Sequence, residues 1–200
     1  MIKKIIIFGA GGHANSIIDV IESTKRYKIM FLVDKFNGRL RNYRIYKENN
    51  DLSYYKKFTN NFAIGIGQIK DYKKREKIYK KIKLNKIKLP SIISPFAYVS
   101  KSVKFGEGTI VMHHAIVNAN TIIRENCIIN TKALIEHDNI INKNSHVSTA
   151  AVINGGCEIG ENSFIGSNST IIQGIKIGAN SIIGAGKTII KNLKKNSLVN

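Results

Sequence analysis

The sequence predicts a chain of two parts, a small α/β domain of Rossmann-like type over residues 1–90 and a left-handed parallel β-helix over residues 91–200. Two observations predict this fold class. Near the start, an apolar run, a glycine-rich turn and a stretch with helical spacing follow one another. After Pro90, an aliphatic or aromatic residue recurs at every sixth position. The only two prolines, Pro90 and Pro95, bracket the junction between the two parts.

The first part alternates between strand and helix signals. Strands are predicted over residues 5–8, over 29–33 with Asp34 at the end, and over 62–66. Helices are predicted near residues 14–23 and within the basic run 70–88. This alternation is typical of a parallel sheet with crossover helices.

The stretch FGAGGHAN, residues 8–15, lies between the first strand and the first helix. It fits the pattern G-x-G-x-x-A with Gly9, Gly11 and Ala14, and glycines there let backbone N–H groups approach a phosphate at a helix N-terminus. Asp34 follows about twenty residues later, where an acid can accept hydrogen bonds from a ribose. A domain of about 90 residues is half of a dinucleotide fold, so one nucleotide is predicted. The alternative is a tight turn that binds nothing.

A six-residue period runs through the second part. Every sixth residue from position 99 to position 189 is Val, Ile or Phe: Val99, Phe105, Val111, Val117, Ile123, Ile129, Ile135, Ile141, Val147, Ile153, Ile159, Ile165, Ile171, Ile177, Ile183 and Ile189. This period predicts a triangular β-helix with three hexads, or roughly 18 residues, in each coil. About five coils are expected, with the aliphatic residues stacked inside.

Two other positions of the hexad support the same fold. The position after the aliphatic residue is often Gly or Asn, as at Gly106, Asn118 and Gly160, and we expect the left-handed corner residue there. The fourth position after it is small, as at Ala133 and Ser145, and is expected to point inward.

Charge and composition favour a folded cytoplasmic protein. The formal net charge is +19, and the basic residues are densest in residues 70–88, where apolar residues keep helical spacing. We interpret this run as the solvated face of a helix and predict no nucleic-acid partner, since no aromatic-interleaved RNA motif or zinc spacing accompanies it. No apolar stretch approaches the roughly 20 residues that a membrane span needs. Cys127 and Cys157 occupy small inward positions and are predicted to be buried free thiols.

Several motifs resemble those of one known family. They are FGAGGHA, FLVD and AIGIG in the first part, and IEHDNIINKNSHVS in the repeats, which places His137 and His146 nine residues apart. The chain resembles, over essentially its whole length, the two-domain hexapeptide-repeat acyltransferases of bacterial surface-sugar biosynthesis. That family includes bacillosamine-pathway and perosamine N-acetyltransferases and sialic acid O-acetyltransferases.

The resemblance implies an acetyl-CoA-dependent N-acetyltransferase that acts on a nucleotide-linked amino sugar of the UDP-4-amino-sugar type. It implies a homotrimer with acetyl-CoA bound between neighbouring β-helices and no metal. The positions that match the family's nucleotide-sugar contacts are Gly11, Gly12, His13, Asp34, Lys35 and Gly65, although Lys35 replaces a second acid often found there. The positions that match its acetyl-CoA contacts are His146, Ser167 and Ala185.

His137 is the candidate general base. It lies two positions after Ile135, at a predicted corner and outside the aliphatic column, so core packing does not explain it. A neutral imidazole there can accept a proton from an amine or hydroxyl that attacks a thioester. By resemblance Asp138 orients the ring, and Glu136 is the less favoured choice. The plain alternative is an ordinary exposed histidine. His146, between inward residues 145 and 147, is expected to point outward.

Three other functions compete with N-acetylation. An O-acetyltransferase of sialic acid or of another surface polysaccharide sugar would use nearly the same scaffold. A zinc lyase similar to the β-helical carbonic anhydrases would need three histidine ligands shared across a trimer interface, and no His pair here has the x₄ spacing of that class. A non-catalytic scaffold leaves the sequence EHD, residues 136–138, unexplained.

Overall fold

The computed structural model describes residues 2–49, 51–69 and 71–200. Position 70 of the basic run therefore lies outside the described residues. The first part contains β1 (Lys3–Phe8), α1 (Gly12–Thr24), β2 (Tyr27–Asp34), β3 (Gly38–Leu40), β4 (Tyr43–Lys47), a 3₁₀ helix (Leu52–Lys57), β5 (Phe62–Ile64) and α2 (Lys73–Leu84). The basic run is thus helical over α2, as the sequence predicts.

The first part is built on one five-stranded sheet in the order β3-β4-β2-β1-β5. Four strands are parallel, but β3 runs antiparallel to β4, so the prediction of a purely parallel sheet is wrong. The sequence also missed β3, β4 and the 3₁₀ helix. The β3–β4 hairpin is short and lies at the sheet edge, where Ile45 alone is buried, so it carries almost no hydrophobic pattern.

Helices cover both faces of this sheet. α1 packs on one side, where Ile17, Ile18 and Ile21 are fully buried together with Ile5 and Ile7 of β1. The 3₁₀ helix and α2 pack on the other side against the alternate residues of the same strands. Because successive strand residues point to opposite faces, β1 supplies apolar side chains to both layers.

The second part is a parallel β-helix of about six coils, one more than predicted. Its strands are β6 (Ile92–Ile93), β7 (Tyr98–Val99), β8 (Lys104–Phe105), β9 (Ile110–Val111), β10 (Ile116–Val117), β11 (Ile122–Ile123), β12 (Ile128–Ile129), β13 (Leu134–Ile135), β14 (Ile140–Ile141), β15 (His146–Val147), β16 (Val152–Ile153), β17 (Glu158–Ile159), β18 (Phe164–Ile165), β19 (Thr170–Ile171), β20 (Lys176–Ile177), β21 (Ile182–Ile183), β22 (Thr188–Ile189) and β23 (Leu198–Val199). Strands three apart in the chain pair in register, so each coil spans 18 residues.

The β-helix has three faces, each a parallel sheet. We call the sheet of β6, β9, β12, β15, β18, β21 and β23 face A, that of β7, β10, β13, β16, β19 and β22 face B, and that of β8, β11, β14, β17 and β20 face C. The predicted aliphatic column lies inside the prism from Val111 onward, and Val99 and Phe105 pack against it. The predicted small residues are buried as well, among them both cysteines, which are free thiols. Burial raises the pKa of Cys127 to about 12, which keeps this thiol protonated.

The corner residue is not where the sequence predicts it. Left-handed φ angles occur three positions after the aliphatic residue, for example φ 60° at Asn120 and φ 57° at Asp138, and not one position after it. Glycine in the predicted position has a different cause. A Cβ at Gly106 would lie 2.2 Å from the backbone nitrogen of Glu125 in the next coil, so Gly106 permits close stacking of coils.

The first part sits on face A and on the corner between faces C and A. Ile92, Ile110 and Met112 of face A share a core with α1. At the C–A corner, the Arg75 side chain of α2 is fully buried and donates to the carbonyls of Gly108 (3.2 Å) and Asn126 (3.3 Å). It also donates to two carbonyls at the end of β5, so one guanidinium joins both parts of the chain.

Candidate active site

The glycine loop leaves the start of α1 open. Gly11 is the N-cap of α1, and no side chain caps the helix there. A Cβ built on Gly11 or on Gly12 would meet no atom within 4 Å, and both residues are exposed. The start of α1 is therefore open at Gly11 and Gly12, and the N–H groups of a first helical turn, which have no partner within the helix, suit a phosphate there.

Gly9 and Gly65 have a different role beneath the loop. Gly9 has φ +105°, a conformation that favours glycine, and a Cβ there would lie 2.7 Å from the Ile66 side chain. A Cβ on the buried Gly65 would lie 2.8 Å from Ile7 and 3.0 Å from the Cβ of Ala14. These glycines and Ala14 therefore let α1 approach the sheet closely.

Asp34 braces the loop from the end of β2. Its carboxylate accepts hydrogen bonds from the backbone N–H of Ala10 (2.7 Å) and from that of Lys35 (2.7 Å). A carboxylate has about four acceptor positions, so it can still receive hydroxyl donors from a ligand. The Lys35 side chain is exposed beside it.

His13 and His146 both lie where the glycine loop approaches face A, close enough for His146 to influence the pKa of His13. The His146 ring is only 5% exposed, donates from Nδ1 to the Gln68 carbonyl, and accepts from Asn130 Nδ2 at 3.1 Å. Burial lowers its pKa to about 4. Burial also lowers the pKa of His13 to about 3, with further contributions from Arg75 and His146. Both rings are therefore neutral near neutral pH.

His146 points out of the prism as expected, but it does not lie at the surface. Gln68, in the segment after β5, covers it, and Phe164 packs edge-to-face on it at 5.2 Å. A direct contact of this ring with acetyl-CoA would require Gln68 to move. By contrast, His13 Nε2 is buried and finds no hydrogen-bond partner among the described residues, so it is free to pair with a bound ligand.

Two glycine substitutions should distinguish a glycine that leaves room for a ligand from a glycine that permits close packing beneath the loop. Gly12→Ala is expected to leave folding intact, because the position is open, and to raise KM for the nucleotide-linked substrate that the sequence predicts at least about tenfold by crowding its phosphate. The control Gly65→Ala should destabilise the protein by roughly 1–3 kcal/mol through its clash with Ile7. Thermal unfolding and substrate titration of both variants test this. Unchanged KM in Gly12→Ala would contradict a phosphate site at the start of α1.

His137 and Asp138 form an exposed pair at the corner between faces B and C. His137 Nδ1 lies 2.7 Å from Asp138 Oδ2, and Asn120 Nδ2 donates to the other oxygen at 3.1 Å. The hydrogen bonds from His137 and Asn120 lower the pKa of the Asp138 carboxyl. An ionised carboxylate only accepts, so Nδ1 carries the proton. Nε2 then keeps a lone pair that can receive a proton.

Glu136 has a separate partner. Its carboxylate accepts from Asn118 Nδ2 at 2.9 Å, whereas Asp138 is the residue that contacts the His137 ring. The sequence reasoning missed Gly155, one coil further on. A Cβ at this position would lie 2.7 Å from His137 Cε1 and 2.8 Å from Nε2. Only a residue without a side chain therefore leaves room for the imidazole ring in this orientation.

Ser167 and Ala185 lie at a different corner, between faces A and B. They follow β18 and β21 and are separated by one coil, and the Gly186 N–H donates to the Ser167 carbonyl at 2.8 Å. Ser167 Oγ lies 3.0 Å from Ser148 Oγ, and Ala185 is exposed. The predicted acetyl-CoA residues and the predicted base thus occupy two corners at opposite edges of face B.

The glycine loop and His137 lie on opposite sides of the prism at the same height. The coil that contains β13, β14 and β15 carries both His137 and His146, and their separation of nine residues is half of an 18-residue coil. His146 faces the loop region, whereas His137 lies at the corner opposite face A. One copy of the chain therefore does not bring its own glycine loop to its own His137.

Comparison with known proteins shows which family has this architecture. Residues 4–82 match the model of the PglD N-terminal domain, and residues 156–191 match that of the bacterial transferase hexapeptide with six repeats. A structure of PerB from Caulobacter crescentus, in complex with CoA and GDP-perosamine, is 30% identical, with 99% of this chain and 94% of that chain covered and a TM-score of 0.92. The chain belongs to the two-domain, hexapeptide-repeat sugar acyltransferases. It is an acetyltransferase of this family.

A second relative is similar over the same extent. The acetyltransferase domain of PglB from Neisseria gonorrhoeae, in complex with acetyl coenzyme A, is 26% identical, with 99% of this chain and 96% of that chain covered and a TM-score of 0.90. WeeI from Acinetobacter baumannii, at 18% identity and a TM-score of 0.85, shares the fold.

Two further findings bear on the other predictions. The described residues contain no group of three or more His, Cys, Asp or Glu side chains that could hold a metal ion. The chain's membership of the acetyltransferase family argues against the zinc lyase that the sequence left as an alternative. Within the described parts of the chain, no α-helix is both long and apolar enough to cross a bilayer.

Proposed function

We propose that the acetyltransferase transfers the acetyl group of acetyl-CoA to the amine of a nucleotide-linked amino sugar, with His137 as general base. The observation that carries this proposal is the His137–Asp138 pair, which is exposed and lies outside the core. The hydrogen bond from Nδ1 to Asp138 leaves Nε2 as the atom that can accept a proton. PerB, which is 30% identical, was solved with CoA and GDP-perosamine, and this supports an amino sugar on a nucleotide.

The first part supplies the nucleotide site in this proposal. The diphosphate accepts from the backbone of Gly11, Gly12 and His13 at the start of α1, and the Asp34 carboxylate accepts from the ribose. The order of β4, β2, β1 and β5 is that of half a Rossmann-like sheet, which supports this assignment. Lys35 adds a positive charge near the ligand. Gly65 acts by permitting close packing beneath the loop.

The chemistry is one proton transfer coupled to acyl transfer. The sugar amine attacks the thioester carbonyl, and a new C–N bond forms. His137 Nε2 accepts the amine proton while Nδ1–H stays hydrogen-bonded to Asp138. The C–S bond then breaks and the CoA thiolate leaves. The mechanism needs no covalent intermediate on the enzyme. Both cysteines are buried inside the prism and are not nucleophiles in it.

The active site requires a second copy of the chain. A rotation axis parallel to the prism keeps heights unchanged, so in a cyclic trimer the loop of one copy meets the His137 corner of its neighbour at one level. Face B presents Tyr98 (61% exposed) and Ile116 (38% exposed), which suits contact with another copy. Ser167 and Ala185 of one copy then line the acetyl-CoA channel beside His137 of the next.

A substrate panel tests the function. Purified protein with acetyl-CoA is given UDP- and GDP-linked 4-amino sugars, their hydroxyl counterparts and free sialic acid, and CoA thiol release and the product NMR spectrum are recorded. The proposal predicts rapid thiol release with one nucleotide-linked amino sugar and an amide in the product. The UDP-linked sugar is the predicted one. Acetylation of a hydroxyl with no turnover of any amine would instead establish the O-acetyltransferase.

A further inference from the structure

One edge of the first part carries a dense group of cations. Parallel strands have a carboxyl edge, where the glycine loop lies, and an amino edge opposite to it. The amino edge is surrounded by exposed basic side chains that we call the basic edge: Lys3, Lys4, Lys25, Arg26, Lys28, Lys57, Lys86 and Lys88. They come from four separate segments of the chain, so a run of lysines in the sequence does not account for them.

Backbone hydrogen bonds hold these segments side by side. The Lys3 N–H donates to the Arg26 carbonyl at 3.0 Å, and Lys4 pairs with Lys28 in the β1–β2 register. Thr59 Oγ1, two residues after Lys57, donates to the Lys4 carbonyl at 2.8 Å.

The connection after α2 joins the same edge. The Lys88 N–H donates to the Asn60 carbonyl at 2.9 Å, and the Lys88 carbonyl accepts from the Phe62 N–H at 2.9 Å. Lys88 is therefore the neighbour of the residues that lead into β5. This contact adds the Lys86 and Lys88 side chains to the cations of β1 and β2.

The basic edge lacks compensating acids. Among the described residues, none of its eight cations takes part in an ion pair. Glu22, in the last turns of α1, is engaged by Arg41 at 3.6 Å and by the Tyr43 hydroxyl at 2.7 Å. Because like charges repel one another, a cluster of this kind is most favourable beside a surface of opposite charge.

Two aliphatic side chains accompany the cations. Ile2, directly before β1, is 65% exposed, and Leu84, at the end of α2, is 83% exposed. Isolated aliphatic side chains among lysines fit the boundary of a lipid bilayer, where anionic headgroups lie above acyl chains. An aromatic ring also borders the edge, since Lys57 Nζ lies 3.6 Å from the centroid of the Tyr54 ring, which is 46% exposed. Aromatic rings can stack on bases as well as lie among headgroups, so a duplex oligonucleotide is the competing ligand in the test.

We propose that the basic edge binds an anionic phospholipid surface, with Ile2 and Leu84 inserted at the level of the headgroups. In this orientation the carboxyl edge of the sheet, with the glycine loop and Asp34, faces away from the membrane. The nucleotide site then stays open to solvent while the enzyme is held at the bilayer. The proposal does not depend on the identity of the sugar.

Vesicle co-sedimentation of the purified 200-residue chain tests this surface. The wild type should bind vesicles of phosphatidylcholine with phosphatidylglycerol, should not bind phosphatidylcholine alone, and should be released by high salt. The triple variant Lys3→Gln/Lys4→Gln/Lys88→Gln should lose about 100-fold in partition coefficient. The control Lys191→Gln/Lys194→Gln/Lys195→Gln changes net charge equally, at exposed positions of the last coil, and should stay near wild type.

The variants also guard against indirect effects. The basic-edge variant should keep its unfolding temperature and its acetyl-transfer rate in solution, because only side-chain ends are changed. Ile2→Gln/Leu84→Gln should weaken vesicle binding several-fold at unchanged charge, and no weakening would overturn the lipid assignment. Three other results would also overturn the lipid assignment. They are equal losses of vesicle binding in both lysine variants, no binding of the wild type to the anionic vesicles, and preferential binding of a duplex oligonucleotide through Lys3, Lys4 and Lys88.

Discussion

His137→Ala is expected to lower kcat by roughly 10²- to 10⁴-fold and to leave KM for both substrates nearly unchanged. The reason is its position. The side chain is 63% exposed, lies outside the aliphatic column and contacts Asp138 and the backbone at Gly155. Its removal should therefore leave the core intact and take away the proposed proton acceptor. Steady-state thiol release and thermal unfolding of the purified variant measure both effects.

Glu136→Gln is the matched control for His137→Ala. Glu136 is adjacent in the chain, but its carboxylate is paired with Asn118, so we expect kcat close to wild type. Turnover near wild type in His137→Ala, still dependent on the sugar, would show that another group accepts the proton.

Mixed assemblies are expected to recover activity from two inactive variants. Asp34→Ala should impair the proposed sugar-nucleotide site and His137→Ala should remove the proposed base, so we expect each variant alone to be nearly inactive. If a loop of one copy works with His137 of the next, random trimers of the two chains should regain about a quarter of wild-type activity.

Co-expression with two different affinity tags isolates the mixed trimers, each of which holds one intact site of three and should therefore show about a third of wild-type activity. Light scattering checks their mass. A mixed trimer without activity would contradict an active site built from two copies, as would a monomeric mass for the wild type.

The β-helix was accessible from sequence because its signal is repeated in every coil. Ile135 and Val147, for example, occupy the same position of their hexads and are both buried in the column. Because the period holds over many hexads, each position in the coil can be assigned from all the others. The same 18-residue coil could have revealed Asn120, which stacks one coil before Asp138 and donates to it. The left-handed corner was misplaced because glycine serves two purposes in this fold, positive φ and close approach of coils.

Contacts between the two parts of the chain leave little trace in the local sequence pattern, so they were hard to predict. Gln68 covers His146 across a separation of 78 residues, and no periodic pattern indicates such a pair. Arg75 is the exception, because it lies on the apolar stripe of α2 with Ile78 and Ile82. A charged residue on a buried stripe predicts a specific partner, and here the partners are carbonyls from both parts. The β3–β4 hairpin could not be found from one buried residue.

A double-mutant cycle on His137 and Asp138 tests the proposed base most directly. The rates kcat of the wild type, His137→Ala, Asp138→Asn and the double variant are measured across pH. Asp138→Asn should reduce kcat less than His137→Ala does. The double variant should be little slower than His137→Ala, since no ring remains to be oriented. Fully additive losses would contradict the claim that the two residues act as one proton acceptor.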